Sequence, residues 1–151
     1  MEQINAEHYT DMLIYAVDKT VTKIKLSLGQ YIASLDIGIT AEQFAVLDTI
    51  YRGENLCQLD VAKILMKDKS NIKRIAEILE HKGLINRILS KRENRALNYL
   101  KITDSGKTLI DENVDKVKSY LTEIFRDITD EEVQVLKNIM QKVNGRLSKT
   151  D

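Results

Sequence analysis

Lys69, Ser70, Asn71, Lys73 and Arg74 place three cations and two short hydrogen-bonding side chains in one short run of the chain. At the start of a helix, such a run suits polyanion recognition. Free N–H groups and the helix dipole attract phosphate there. Asn and Ser can reach base edges, while Lys and Arg reach guanine or phosphate. A second basic group follows in Ser90-Lys91-Arg92-Glu93-Asn94-Arg95, a polar, turn-prone stretch between two strand-like runs, 84–89 and 97–102. Lys91, Arg92 and Arg95 would form the tip of a hairpin, with its arginines against a nucleic-acid backbone or in a minor groove. A recognition-type helix followed directly by a basic hairpin is the arrangement of a winged helix-turn-helix.

The formal net charge of the 151 residues is zero, but its distribution supports this reading. From Lys63 to Lys107 there are twelve Lys and Arg against five Asp and Glu; the rest of the chain holds eleven against eighteen. A basic middle flanked by acidic ends implies one lobe that meets a polyanion and another that does not. Catalysis finds no support. There is no Gly-rich phosphate loop, G-x-S-x-G or H-E-x-x-H, and Glu77 and Glu80 fall on or near the solvated side of their helix. One cysteine with His8 and His81 is too few ligands for a zinc site. The expectation is therefore no enzyme, no metal and no cofactor. A single cysteine and no apolar run long enough to span a membrane point to a reducing cytoplasm and no membrane partner.

These side chains need a scaffold, and the apolar spacing supplies one. Asp68 is placed to cap a helix over 69–82, with Ile72, Ile75, Ile78 and Leu79 on one face and Gly83 as its stop. A short helix over 59–66 and the linker Lys67-Asp68 complete the helix-turn-helix. Thr40 and Gln43 form a capping box opening a helix to about Tyr51, which buries Phe44, Leu47 and Ile50. Residues 6–36 read as one long helix with Leu13, Val17, Val21, Ile24, Leu28, Ile32 and Leu35 in step, and Gly29 as a close helix contact. Thr103-Asp104-Ser105-Gly106 opens another long helix, carrying Ile110, Val114, Val117, Leu121 and Ile124. Thr129 and Glu132 cap a last one with Leu136, Met140, Val143 and Leu147.

The fold class is thus mainly α with a small β-hairpin wing (α+β). Residues 38–103 form a DNA-binding lobe, and 1–37 with 104–151 a helical lobe. The long apolar stripes fit a core within one chain and equally the seam of a two-fold dimer, which would present two recognition helices to a palindromic site. The competing reading is a winged-helix module that binds protein, since such folds also serve as adaptors; the basic helix start and wing speak against it.

Element order and four short strings resemble the MarR family of bacterial winged-helix transcriptional regulators. Ile39-Thr40-Ala41-Glu42-Gln43-Phe44-Ala45-Val46-Leu47 looks like the opening of the family's second helix, and Asp68-Lys69-Ser70-Asn71-Ile72-Lys73-Arg74 like the start of its recognition helix. Leu79-Glu80-His81-Lys82-Gly83-Leu84-Ile85-Asn86-Arg87 resembles the run into the wing, and Ile102-Thr103-Asp104-Ser105-Gly106 the string that closes it. The resemblance implies an obligate homodimer that binds double-stranded DNA at a pseudo-palindromic promoter site, usually as a repressor. It also implies release when a small anion, phenolic compound or oxidant acts at the junction between lobes. Glu93-Asn94-Arg95 stands where the family's wing has Asp-x-Arg, so either Arg92 or Arg95 takes the minor-groove role. The family's effector crevice is lined by helices one and two, which makes Tyr15, Tyr31 and Tyr51 candidates for an aromatic or anionic ligand. Peroxide-sensing members carry a cysteine near the start of the first helix. This chain has none there, and Cys57 is expected to be a small buried residue.

Overall fold

A computed structural model describes residues 8–92 and 95–148, and the chain divides into two compact units, Met1–Val117 and Lys118–Asp151. In the first unit, the long N-terminal helix α1 (Leu13–Ser34) starts later than its apolar spacing predicts. Tyr9–Asp11 make one 3-10 turn, and Met12 then turns extended at φ −66°, ψ 147°. Of the α1 stripe only Ile32 is buried; Leu13, Val17 and Val21 stay 39–48 % exposed. Gly29 makes no close helix contact among the described residues: an added Cβ would meet nothing within 4 Å there.

Helix α2 (Ala41–Arg52) opens on the expected capping box. Thr40 Oγ1 accepts from the Gln43 N–H and Gln43 Oε1 from the Thr40 N–H, both at 3.2 Å. Helix α3 (Gln58–Ile64) is shorter than expected, and the chain leaves it through Met66 in a left-handed conformation (φ +51°). Helix α4 (Lys69–His81) follows, with Asp68 Oδ1 accepting from the Asn71 N–H at 2.8 Å. It ends at Gly83 (φ +71°), where a side chain would be strained. Phe44, Leu47 and Ile50 of α2 pack in one core with Val61 of α3 and Ile72, Ile75 and Leu79 of α4, all at most 5 % exposed. Burying each such α4 side chain is worth about 1.5–3 kcal/mol, which fixes which face α4 turns outward.

Strands β1 (Ile85–Arg92) and β2 (Arg95–Ile102) form an antiparallel hairpin, paired from Ile85↔Ile102 to Arg92↔Arg95. Both strands run further than the expected 84–89 and 97–102. The ladder is built from backbone groups, so it continues where the hydrophobic pattern stops. The hairpin is tied to the start of α3 by a Cys57↔Tyr99 bridge and a 2.9 Å bond from the Leu100 N–H to the Leu56 carbonyl. Cys57 is buried at 1 % exposure, as expected.

Helix α5 (Asp104–Ile124) opens on Thr103, whose hydroxyl donates to the Gly83 carbonyl at 2.7 Å and accepts from the Gly106 N–H at 3.1 Å. Gly106 lies so close to the wing's first residues that an added Cβ would sit 2.3 Å from the Leu84 carbonyl oxygen. In the second unit, α6 (Asp130–Leu147) has its Thr129–Glu132 capping box but buries no residue. Its stripe of Leu136, Met140, Val143 and Leu147 is 48–64 % exposed.

Candidate nucleic-acid interface

The outward face of α4 carries the residues its sequence singled out. Lys69, Ser70, Lys73 and Arg74 are exposed, and Asn71 is half-buried. Asp68 gathers the first turn: besides the Asn71 N–H, its Oδ1 accepts from Ser70 Oγ at 2.8 Å. These bonds hold the Asp68 carboxyl below the usual carboxylate range, with the Asn71 backbone bond the largest cause. One of the four free N–H groups of the first turn is thereby used, and the exposed cations stand around the rest.

The Asn71 side chain is engaged at both ends. Its Nδ2 donates to Glu42 Oε1 of α2 at 3.0 Å, and its Oδ1 accepts from an Arg74 terminal nitrogen at 3.0 Å. The same Glu42 oxygen meets Lys67 Nζ at 2.6 Å. The Lys67 hydrogen bond is the largest cause that holds the Glu42 carboxyl below its ordinary range; burial opposes it, and the Asn71 hydrogen bond adds to the lowering. Neither Glu42 nor Lys67 stood out in the sequence, because they lie 25 positions apart and meet only once α2 and α4 pack.

The wing is clamped to α4 by Arg87. Its Nε donates to Glu80 Oε2 at 2.7 Å, its backbone N–H to Glu80 Oε1 at 3.1 Å, and a terminal nitrogen lies 3.5 Å from Glu77 Oε1. Glu80 is held below, and Arg87 above, the ordinary value by this pairing. Glu77 and Glu80, expected on or near the solvated side of their helix, thus tie the hairpin to α4 through Arg87. The backbone of Lys91, Arg92 and Arg95 continues the ladder, with Lys91 facing Ala96 and Arg92 facing Arg95. Their side chains and the Glu93-Asn94 tip lie outside the described residues.

Between the start of α3, the first turns of α4 and β2 lies a cleft of about 440 Å³ lined by Cys57, Gln58, Lys69, Ser70, Lys73 and Asn98, among others. Gln58 Nε2 is buried there without a hydrogen-bond partner among the described residues. The candidate effector tyrosines separate. The Tyr31 hydroxyl donates to the Lys116 carbonyl at 3.3 Å and the Tyr51 hydroxyl to Asp111 Oδ1 at 2.8 Å, so both reach α5. The Asp111 bond also raises the Tyr51 phenol above its ordinary value. Tyr15 instead packs edge-on against Tyr9, with ring centroids 5.7 Å apart. No group of three or more metal-ligating side chains occurs among the described residues.

The sequence profile of the MarR family matches residues 39–97, the segment from the start of α2 into β2. The multiple antibiotic resistance protein MarR of Escherichia coli K12 is 27 % identical over 132 residues, covering 87 % of this chain and 88 % of its own. Over residues 39–97 the chain is similar to the MarR family. The relatives it matches include the HTH-type transcriptional regulator PrsX of Escherichia coli, 29 % identical over 144 residues that cover 93 % of this chain and 82 % of its own. Its fold matches the Staphylococcus aureus MepR–DNA complex, with a TM-score of 0.77 and 22 % identity over 93 % of this chain and 99 % of that one. It also matches CouR of Rhodococcus jostii RHA1 bound to p-coumaroyl-CoA, with a TM-score of 0.74 and 20 % identity over 91 % of this chain and 95 % of that one.

Proposed function

We propose that this chain is a MarR-family transcription regulator that binds a pseudo-palindromic promoter site as a homodimer and represses transcription from it. The observation that carries the reading is α4. Its buried Ile72, Ile75 and Leu79 turn Lys69, Ser70, Lys73 and Arg74 outward, around a helix N-terminus, in the basic segment of the chain. Arg74 reaches base edges, Lys69 and Lys73 meet phosphate, and Arg92 or Arg95 of the wing enters the minor groove. The fold shared with MepR, solved on DNA, supports the same docking.

Residues 38–103 are assigned to DNA, and 1–37 with 104–151 to dimerisation. An apolar stripe that buries nothing in its own chain, as on α6, is what an isologous seam requires. A small aromatic or anionic effector modulates DNA affinity through Tyr31 and Tyr51, with Tyr15 at the edge; the fold shared with ligand-bound CouR supports a ligand. No helix among the described residues is long and apolar enough to cross a membrane, which agrees with a regulator working in the cytoplasm.

Arg74→Ala tests the reading. It should weaken operator binding roughly tenfold or more, while sedimentation still reports a dimer. Operator affinity unchanged from the parent would remove Arg74 from the interface.

A further inference from the structure

We infer that Glu42, on α2 and away from the DNA-facing side chains of α4, is a specificity-determining positioning residue: through Asn71 it sets the direction in which Arg74 meets DNA. This rests on the DNA-binding reading above. The chemistry of the three groups fixes the relay. A carboxylate only accepts and a guanidinium only donates, so the amide between them can take one orientation: Nδ2 toward Glu42 Oε1 at 3.0 Å, and Oδ1 toward Arg74 at 3.0 Å. Asn71 is the adapter, and its amide cannot turn over without breaking both bonds. Arg74 spends one N–H on the adapter and keeps four for a base or phosphate.

Stability does not account for the arrangement. The Glu42 and Lys67 side chains are 36 % and 37 % exposed, and an ion pair that open contributes little to folding. The carboxylate also holds Lys67 Nζ at 2.6 Å, in the turn immediately before α4. Glu42 therefore acts in two ways. It aims Arg74, which favours one sequence, and it withholds a cation from phosphate, which weakens binding to every sequence. The two effects have opposite signs on specific and non-specific affinity, which separates this role from a purely structural one.

The test uses the full chain, a duplex selected by the parent from a randomised pool, and a scrambled duplex of equal length. Affinities are measured across salt for the parent, Glu42→Ala and Glu42→Gln, with thermal melting as the folding control. For Glu42→Ala, the ratio of selected to scrambled affinity should fall roughly tenfold. Binding to the scrambled duplex should strengthen, and its salt slope should steepen by about one released counterion as Lys67 is freed. Glu42→Gln keeps an acceptor for Asn71 and should recover most of the discrimination. Equal losses on both duplexes, or a Glu42→Ala protein that discriminates like the parent, would overturn the role of Glu42 alone. A parent that cannot discriminate between duplexes would overturn the regulator reading and this role together.

Discussion

Gly106→Ala probes the junction on which the wing's placement depends. Alanine is the better helix former by about 1 kcal/mol, so in an open helix the change would stabilise. Here the new Cβ would lie 2.3 Å from the Leu84 carbonyl oxygen and 2.8 Å from Ile102 Cγ1. That carbonyl cannot retreat freely, because it accepts from the Thr103 N–H at 3.0 Å. Relieving the clash costs about 1–3 kcal/mol as overpacking, and straining the Thr103 bond adds about 1 kcal/mol. Against the helix-propensity gain, a net loss of about 2 kcal/mol remains, or a melting temperature lower by about 4–8 °C for a chain of this size. The assay is thermal unfolding by circular dichroism at one protein concentration, since association shifts the midpoint. Gly145→Ala, where nothing lies within 4 Å of the new Cβ, is the control and should melt at or slightly above the parent. A Gly106→Ala protein that melts like that control would refute the close approach of α5 to the wing.

Two further outcomes follow from other sites. The Glu80 carboxyl is held below its ordinary value by Arg87, so the stability it lends is complete above the unfolded carboxylate range, about pH 4–5. That stability is lost as pH falls through the depressed folded value. The melting gap between parent and Glu80→Gln should therefore be full at pH 6 and close toward pH 3, and a gap independent of pH would remove the ion pair as its cause. Leu136→Asp replaces a side chain 53 % exposed in the single chain, so it should change intrinsic folding by no more than about 0.5 kcal/mol. Sedimentation should nonetheless shift to monomer, and an intact dimer would place the seam elsewhere.

Helix starts were legible in the sequence wherever a side chain does the capping. Thr40, Asp68 and Thr129 each accept from the backbone as their spacing predicts, because a cap is local. The buried face of α4 was equally legible, since Ile72, Ile75 and Leu79 keep helical period against one core. The start of α1 was not, because apolar period continues through Met12 while the backbone there is extended. Strand length was hidden for a related reason: residues 90–92 and 95–96 pair through the backbone, and their sequence, polar but for Ala96, leaves no alternation to read. The exposed cations of α4 were found from their place at the start of a capped helix with an apolar face. Glu42, Lys67 and the Glu80–Arg87 clamp were missed, because their roles arise from contacts between elements rather than along one.

The most direct test of the account is a titration of the purified protein against the selected duplex and its scrambled counterpart across salt. The account predicts one dimer per site, with the selected duplex bound at least about a thousandfold more tightly. It also predicts a linear fall of log affinity with log salt that reports the phosphates met by α4 and the wing. Equal, strongly salt-dependent binding to both duplexes would contradict sequence-specific regulation. No binding even at low salt would instead favour a winged-helix module that engages protein.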